Sequence, residues 1–82
     1  MEPRGDVKRF LLACVPRTVG EVVPLSAIYA RYRRWCDDQD PKAAPHGATA
    51  FAEEFRAICE RVALRTRQDG SKVYCLDVRL VA

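Results

Sequence analysis

The residues best suited to bind a ligand are cations that flank a predicted tight turn. Arg65 and Arg67 precede an Asp69-Gly70 pair, and Lys72 follows it. Asp-Gly between two short β-type segments predicts a hairpin, which would carry the three side chains together. Guanidinium and ammonium groups on one hairpin favour contact with phosphate.

The four cysteines could pair in disulfides or bind a metal, but each stands alone in the sequence. They are Cys14, Cys36, Cys59 and Cys75. Paired spacings such as CxxC are the usual signature of zinc. A zinc site that combines these single ligands with His46 is therefore only a minor alternative, and we expect no metal and no cofactor. Reduced thiols are the main expectation, and three of the four cysteines lie in predicted apolar stripes, where Cys behaves as a small hydrophobic residue.

Aromatic residues and arginines on the second predicted helix have two interpretations each. Tyr29, Tyr32 and Trp35 could stack on nucleic-acid bases, but their helical spacing on an apolar face favours core packing. The neighbouring arginines could bind phosphate or could simply solvate the back of the helix. They are Arg31, Arg33 and Arg34.

Catalysis has little support in the sequence. His46 is the single histidine, and no nucleophile–base pair can be placed with it. Glu53 and Glu54 are adjacent, so on a helix they diverge by about 100° and cannot act on one substrate. We expect a protein that is not an enzyme.

The composition is that of a small globular domain. The chain has 82 residues, of which 49% are hydrophobic and 30% are charged, with a net charge of +3. No apolar run approaches the roughly 18 residues that a membrane span needs, and no leader is evident. We expect one domain over residues 1–82, in the cytoplasm.

Hydrophobic periodicity predicts three helices. The first begins after Asp6 as N-cap and stops before Pro16. A loop at residues 17–20 and a brief strand at 21–23 lead to a second helix, which runs from Leu25 or Ser26 to Asp38. After a loop at 39–47, the third helix covers roughly Ala48 to Arg61.

The period then changes from 3.6 to 2, which predicts two strands around the Asp69-Gly70 turn. A half-buried strand would begin at Val62. In the returning strand, one face would carry four apolar residues, namely Tyr74, Leu76, Val78 and Leu80. The predicted class is α+β, and the order helix, short strand, helix, helix, β-hairpin is that of a winged helix-turn-helix, whose third helix can enter the DNA major groove.

A family resemblance agrees with this order. The segment from Val23 to Cys36 has a Tyr-x-x-Tyr-x-x-Trp-Cys pattern, followed by Phe51, Phe55 and a closing segment at 73–76. It resembles the C-terminal winged-helix domain of phage and plasmid primase–helicases. The resemblance implies binding of replication-origin double-stranded DNA by a protein of a phage, plasmid or other mobile element. The chain has no phosphate-binding loop motif, so no helicase activity is implied.

The expected DNA contacts follow from the winged-helix arrangement. The third helix would present four residues to the major groove, namely Thr49, Ala50, Glu53 and Arg56. The hairpin would hold phosphates with Arg65, Arg67, Ser71 and Lys72. Lys42 or His46 would touch the DNA backbone at the start of the third helix.

Two departures from the family's pattern leave a second hypothesis about function open. Gly47 stands where the family often has a Ser or Thr cap, and Glu53 and Glu54 stand where a DNA-reading helix is more often basic. Acidic residues there weaken phosphate attraction. The alternative is a protein–protein module of a mobile element that inhibits or adapts a host complex, such as a nucleic-acid-guided defence system.

Overall fold

The computed structural model describes residues 6–39 and 43–81. Within these ranges, three helices and a three-stranded antiparallel sheet form a small α+β structure, which confirms the predicted class. The elements in chain order are α1 (Val7–Cys14), β1 (Arg17–Pro24), α2 (Leu25–Asp37), α3 (Ala48–Arg61), β2 (Thr66–Asp69) and β3 (Lys72–Val78). The sheet has the order β1-β3-β2.

The helices begin and end close to the predicted positions. The Asp6 carboxylate accepts hydrogen bonds from the backbone N–H groups of Lys8 and Arg9, at 3.0 and 3.3 Å, and so caps α1. The bounds of α3 are those predicted from its apolar stripe, and α2 ends one residue before the predicted Asp38.

The predicted loop at residues 17–20 is wrong, because these residues belong to β1. The register between β1 and β3 shifts between Arg17 and Val22, and Gly20 within this stretch has a φ of +89°. Pairing with the central strand thus extends β1 on both sides of an irregularity. The sequence around Gly20 does not reveal that this segment pairs with β3, so the strand could not be predicted from it.

The predicted start of the next strand at Val62 is also wrong. Ala63 has a φ of +58°, and the Leu64 N–H donates to the Cys59 carbonyl at 2.9 Å. This is the C-terminal arrangement called a Schellman motif, and it delays β2 to Thr66. All four residues of β2 are exposed rather than half-buried.

The predicted hairpin is confirmed. Asp69 pairs with Lys72 across a two-residue turn, and Gly70 has a φ of +62°, as such turns require. The predicted apolar face of β3 is only partly right, because Cys75 and Val78 are both fully buried. Asp77 between them has a φ of +58°, which breaks the strict alternation of the strand.

The core joins all three helices to the central strand. Its largest fully buried side chains include Phe10, Tyr32 and Phe51. The rings of Tyr32 and Phe51 lie 4.7 Å apart between centroids, and Phe10 meets Tyr32 edge-on at 5.4 Å. This cluster fixes α2 against α1 and α3, and so sets the position of the exposed face of α3.

Candidate functional site

A groove of about 490 Å³ lies where the hairpin turn approaches the starts of α2 and α3. The hairpin contributes Ser71 and Lys72, and α3 contributes Ala48 and Phe51. The remaining lining residues are Pro24, Leu25, Ser26, Tyr29, Val73 and Tyr74. The fold thus brings the predicted phosphate contacts Ser71 and Lys72 beside the first turn of the helix predicted to read DNA.

The electrostatics of this groove favour an anion. Among the described residues that line the groove, Lys72 is the one charged residue, and none is a carboxylate. The N-caps of α2 and α3 are Pro24 and Gly47, and neither makes a side-chain capping bond. The backbone N–H groups of both first turns therefore add partial positive charge at the groove.

The predicted hairpin cations do not all have the same role. Arg65 forms an ion pair with Asp77 at 3.1 Å. The Asp77 carboxylate also accepts the Gly20 N–H at 3.0 Å, and the Gly20 and Arg65 hydrogen bonds lower its pKa. Arg65 is therefore partly engaged in holding β1 to the hairpin.

Arg67 is exposed and lies on the outer part of the hairpin. Its guanidinium carbon is 5.2 Å from the ring centroid of Tyr74, its cross-strand partner. The ring restrains the stem of the side chain and leaves its N–H donors available. Arg67 and Lys72 are thus the hairpin cations best placed to contact a ligand.

The residues predicted to face the major groove lie on the exposed side of α3. Thr49, Ala50, Glu53 and Arg56 are all exposed, because the stripe formed by residues 51, 55 and 59 is buried. The same exposed side carries further acidic and basic groups, namely Glu54, Glu60 and Arg61. The net charge of α3 is therefore slightly negative.

His46 lies beside α3 rather than in open solvent. It lines a second depression, of about 330 Å³, together with Ala50 and Glu53. Its backbone is held on both sides, because its N–H donates to the Tyr32 hydroxyl at 3.0 Å and its carbonyl accepts from Tyr29 at 2.9 Å. Lys42, the other predicted backbone contact, lies outside the described residues.

The aromatic residues of α2 divide between core and groove. Tyr32 is fully buried, and burial raises its pKa to about 12. Trp35 is half-buried, 5.8 Å from the ring of Phe10. Core packing, as predicted, therefore accounts for Tyr32 and Trp35, whereas Tyr29 also lines the groove. Sequence reasoning missed Tyr29 and Tyr74 as groove residues, since their meeting depends on tertiary packing.

The arginines of α2 do not form one cluster. Arg31 is half-buried, and its Nε donates to the carbonyl of Val81 at 3.1 Å. Arg33 and Arg34 are exposed beside a shallow depression that Asp37 and Pro45 also line. Arg31 therefore fastens the end of the described chain, while Arg33 and Arg34 serve as exposed charges outside the groove.

The four thiols are free and buried. A hydrogen bond with Cys75, together with burial, raises the pKa of Cys59, and burial raises that of Cys36. The raised pKa values of Cys59 and Cys36 make these two thiols weak nucleophiles at neutral pH. No cluster of three metal-binding side chains occurs among residues 6–39 and 43–81.

Comparisons with protein-family models, with curated proteins and with solved structures find no match for this chain. The resemblance to the primase–helicase domain therefore stays a prediction. In the described part of the chain, no helix has both the length and the apolar character required to cross a bilayer.

Proposed function

We propose that the chain binds double-stranded DNA as a winged helix, with α2 and α3 as the helix-turn-helix and the β2–β3 hairpin as the wing. The order of the elements supports this arrangement, as does the sheet order β1-β3-β2, in which the strand before α2 pairs with the last strand of the hairpin. In such domains a helix enters the major groove and the wing contacts the sugar–phosphate backbone.

The groove is the observation that carries the proposal. It places Ser71 and Lys72 of the wing next to Ala48 at the start of α3, so the two DNA-contacting elements share one edge of the molecule. Lys72 and Arg67 would neutralise phosphates. The N–H groups at the start of α2, near Ser26, would receive another phosphate.

The exposed side of α3 would then face the major groove. Thr49 and Arg56 offer hydrogen-bond donors to base edges, and Ala50 offers an apolar contact to a thymine methyl group. Glu53 would accept from the exocyclic amine of cytosine. Arg65 would contribute less, because Asp77 already pairs with it. The resemblance implies a role at the replication origin of a phage, plasmid or other mobile element.

A fluorescence anisotropy titration with a blunt labelled duplex tests the proposal. Affinity should fall steeply between about 50 and 200 mM salt. Arg67→Ala combined with Lys72→Ala should weaken binding and reduce the slope of log K against log salt by about two, or about one per lost contact. Arg33→Ala combined with Arg34→Ala is the matched control, with the same change in net charge outside the groove.

The control should lose much less affinity than the hairpin double variant. Absence of binding at low salt, or equal losses in the two double variants, would contradict the proposal. The second candidate is the protein–protein module, which the exposed carboxylates of Glu53, Glu54 and Glu60 on α3 favour. A duplex affinity that is low and independent of salt would point to that candidate.

A further inference from the structure

The groove between the hairpin turn and the helix starts has an aromatic lining that contact with duplex phosphates does not use. Phe51 is 1% exposed, while Tyr29 and Tyr74 are half-buried. The rings of Tyr29 and Phe51 are 5.1 Å apart between centroids. A volume of about 490 Å³ lies within the range of small-molecule sites, about 300–1,000 Å³.

The charge around this lining restricts which kinds of apolar ligand could bind in the groove. Lys72 and the uncapped first turns of α2 and α3 make the rim positive. In the part of the chain that the structure describes, no carboxylate lines the groove. A flat apolar ring attached to an anionic group satisfies both features. A nucleotide has this chemistry, with a base that stacks on aromatic side chains and a phosphate that a lysine neutralises.

We propose that the groove receives one unpaired base of a DNA strand, with the adjoining phosphate at Lys72. The inference rests on the proposed function and narrows its substrate class. A base inside a duplex is paired and stacked, so it cannot enter a groove without being extruded. An unpaired base at an overhang or fork can enter freely. The chain should therefore prefer a duplex that has a single-stranded extension over a blunt duplex.

Three kinds of labelled DNA distinguish the contribution of the base from that of its phosphate in an anisotropy titration. The first is a blunt duplex, the second carries a short thymine overhang, and the third carries an abasic overhang of equal length. Overhangs on the 3′ and 5′ strands are both measured. The thymine overhang in the better polarity should bind at least about fivefold more tightly than the abasic one, which is the lower end for one stacked base.

A variant that fills the groove tests the inference, and the same substitution outside the groove is its control. Ala48 lines the groove at the exposed start of α3, and Leu is nearly as good a helix former as Ala. Ala48→Leu should remove the preference for thymine over abasic overhangs, measured as the ratio of the two affinities of the same variant. Ala13→Leu makes the same change at an exposed position of α1, outside the groove lining, and should leave the preference intact.

The outcomes separate the two proposals. Equal affinity for thymine and abasic overhangs, with salt-dependent binding of the blunt duplex, overturns the inference and leaves the proposed function standing. A preference that survives Ala48→Leu also overturns it. Absence of binding to all three DNAs overturns both.

Discussion

The backbone N–H of Gly20 donates a hydrogen bond to the carboxylate of Asp77 at 3.0 Å, across 57 positions of sequence. The same carboxylate pairs with Arg65 at 3.1 Å. One side chain therefore ties the irregular part of β1 to β3 and to the residue that precedes the hairpin. This link holds the base of the β2–β3 hairpin while its turn extends toward the starts of α2 and α3.

The link to Gly20 and Arg65 makes stability depend on pH in a defined direction. The two hydrogen bonds lower the pKa of Asp77, so ionised Asp77 stabilises the folded state. This contribution is complete above the unfolded-state pKa, near about 4, and is lost as the pH falls through the lower folded-state pKa.

Asp77→Asn keeps an acceptor for Gly20 and tolerates the positive φ, but it removes the charge. The variant should unfold at lower urea than wild type at pH 7, and the difference should shrink below about pH 4. Urea unfolding from pH 2.5 to 7 measures this. A difference that stays constant over that range would show that the charge of Asp77 has no such role.

The Tyr32 hydroxyl should be important for stability. It accepts the His46 N–H at 3.0 Å in a partly buried hydrogen bond, and the Tyr32 side chain itself is fully buried. Tyr32→Phe should lower the free energy of unfolding by about 1–3 kcal/mol, because the partly buried His46 N–H loses its acceptor. Tyr29→Phe is the matched variant, and it should cost less because Tyr29 is only half-buried. Chemical denaturation of both proteins checks the order, and the reverse order would refute it.

The hairpin turn requires glycine at position 70. Gly70 has a φ of +62°, and a Cβ there would meet nothing within 4 Å. Gly70→Ala should therefore cost about 1–2 kcal/mol through backbone strain alone. Gly47→Ala provides the comparison, since Gly47 also has open space and has an ordinary φ of −63°. Thermal unfolding should show the larger loss for Gly70→Ala, and equal losses would rule out this explanation.

The acidic residues of α3 distinguish the two candidate functions. If α3 faces DNA, Glu54→Gln combined with Glu60→Gln should strengthen duplex binding severalfold at low salt, because two repelling charges are removed. Asp37→Asn combined with Asp38→Asn changes the net charge equally at the end of α2. Anisotropy titrations should show the larger gain for the α3 pair. Equal gains would place α3 away from the DNA.

Much of the fold could be predicted from local patterns. The apolar stripe of α3 located both of its ends, Asp6 located the start of α1, and Asp69-Gly70 located the hairpin turn. Each of these signals depends on residues within a few positions of one another. The predictions were wrong at residues 17–20, at Val62 and on the face of β3. At each of these places, pairing with a distant strand or the end of a helix changes the path of the backbone.

The candidate site divides in the same way. Residue types alone identified the cations of the hairpin and the mixed charge of α3, because both follow from short-range spacing. Tertiary packing alone decided that Asp77 engages Arg65, that Tyr29 and Tyr74 meet at one groove, and that Lys72 stands beside the start of α3. The physical reason is that these contacts join residues that lie 12 to 45 positions apart in the chain. The buried Tyr32–Phe51 cluster determines how the segments of α2 and α3 meet.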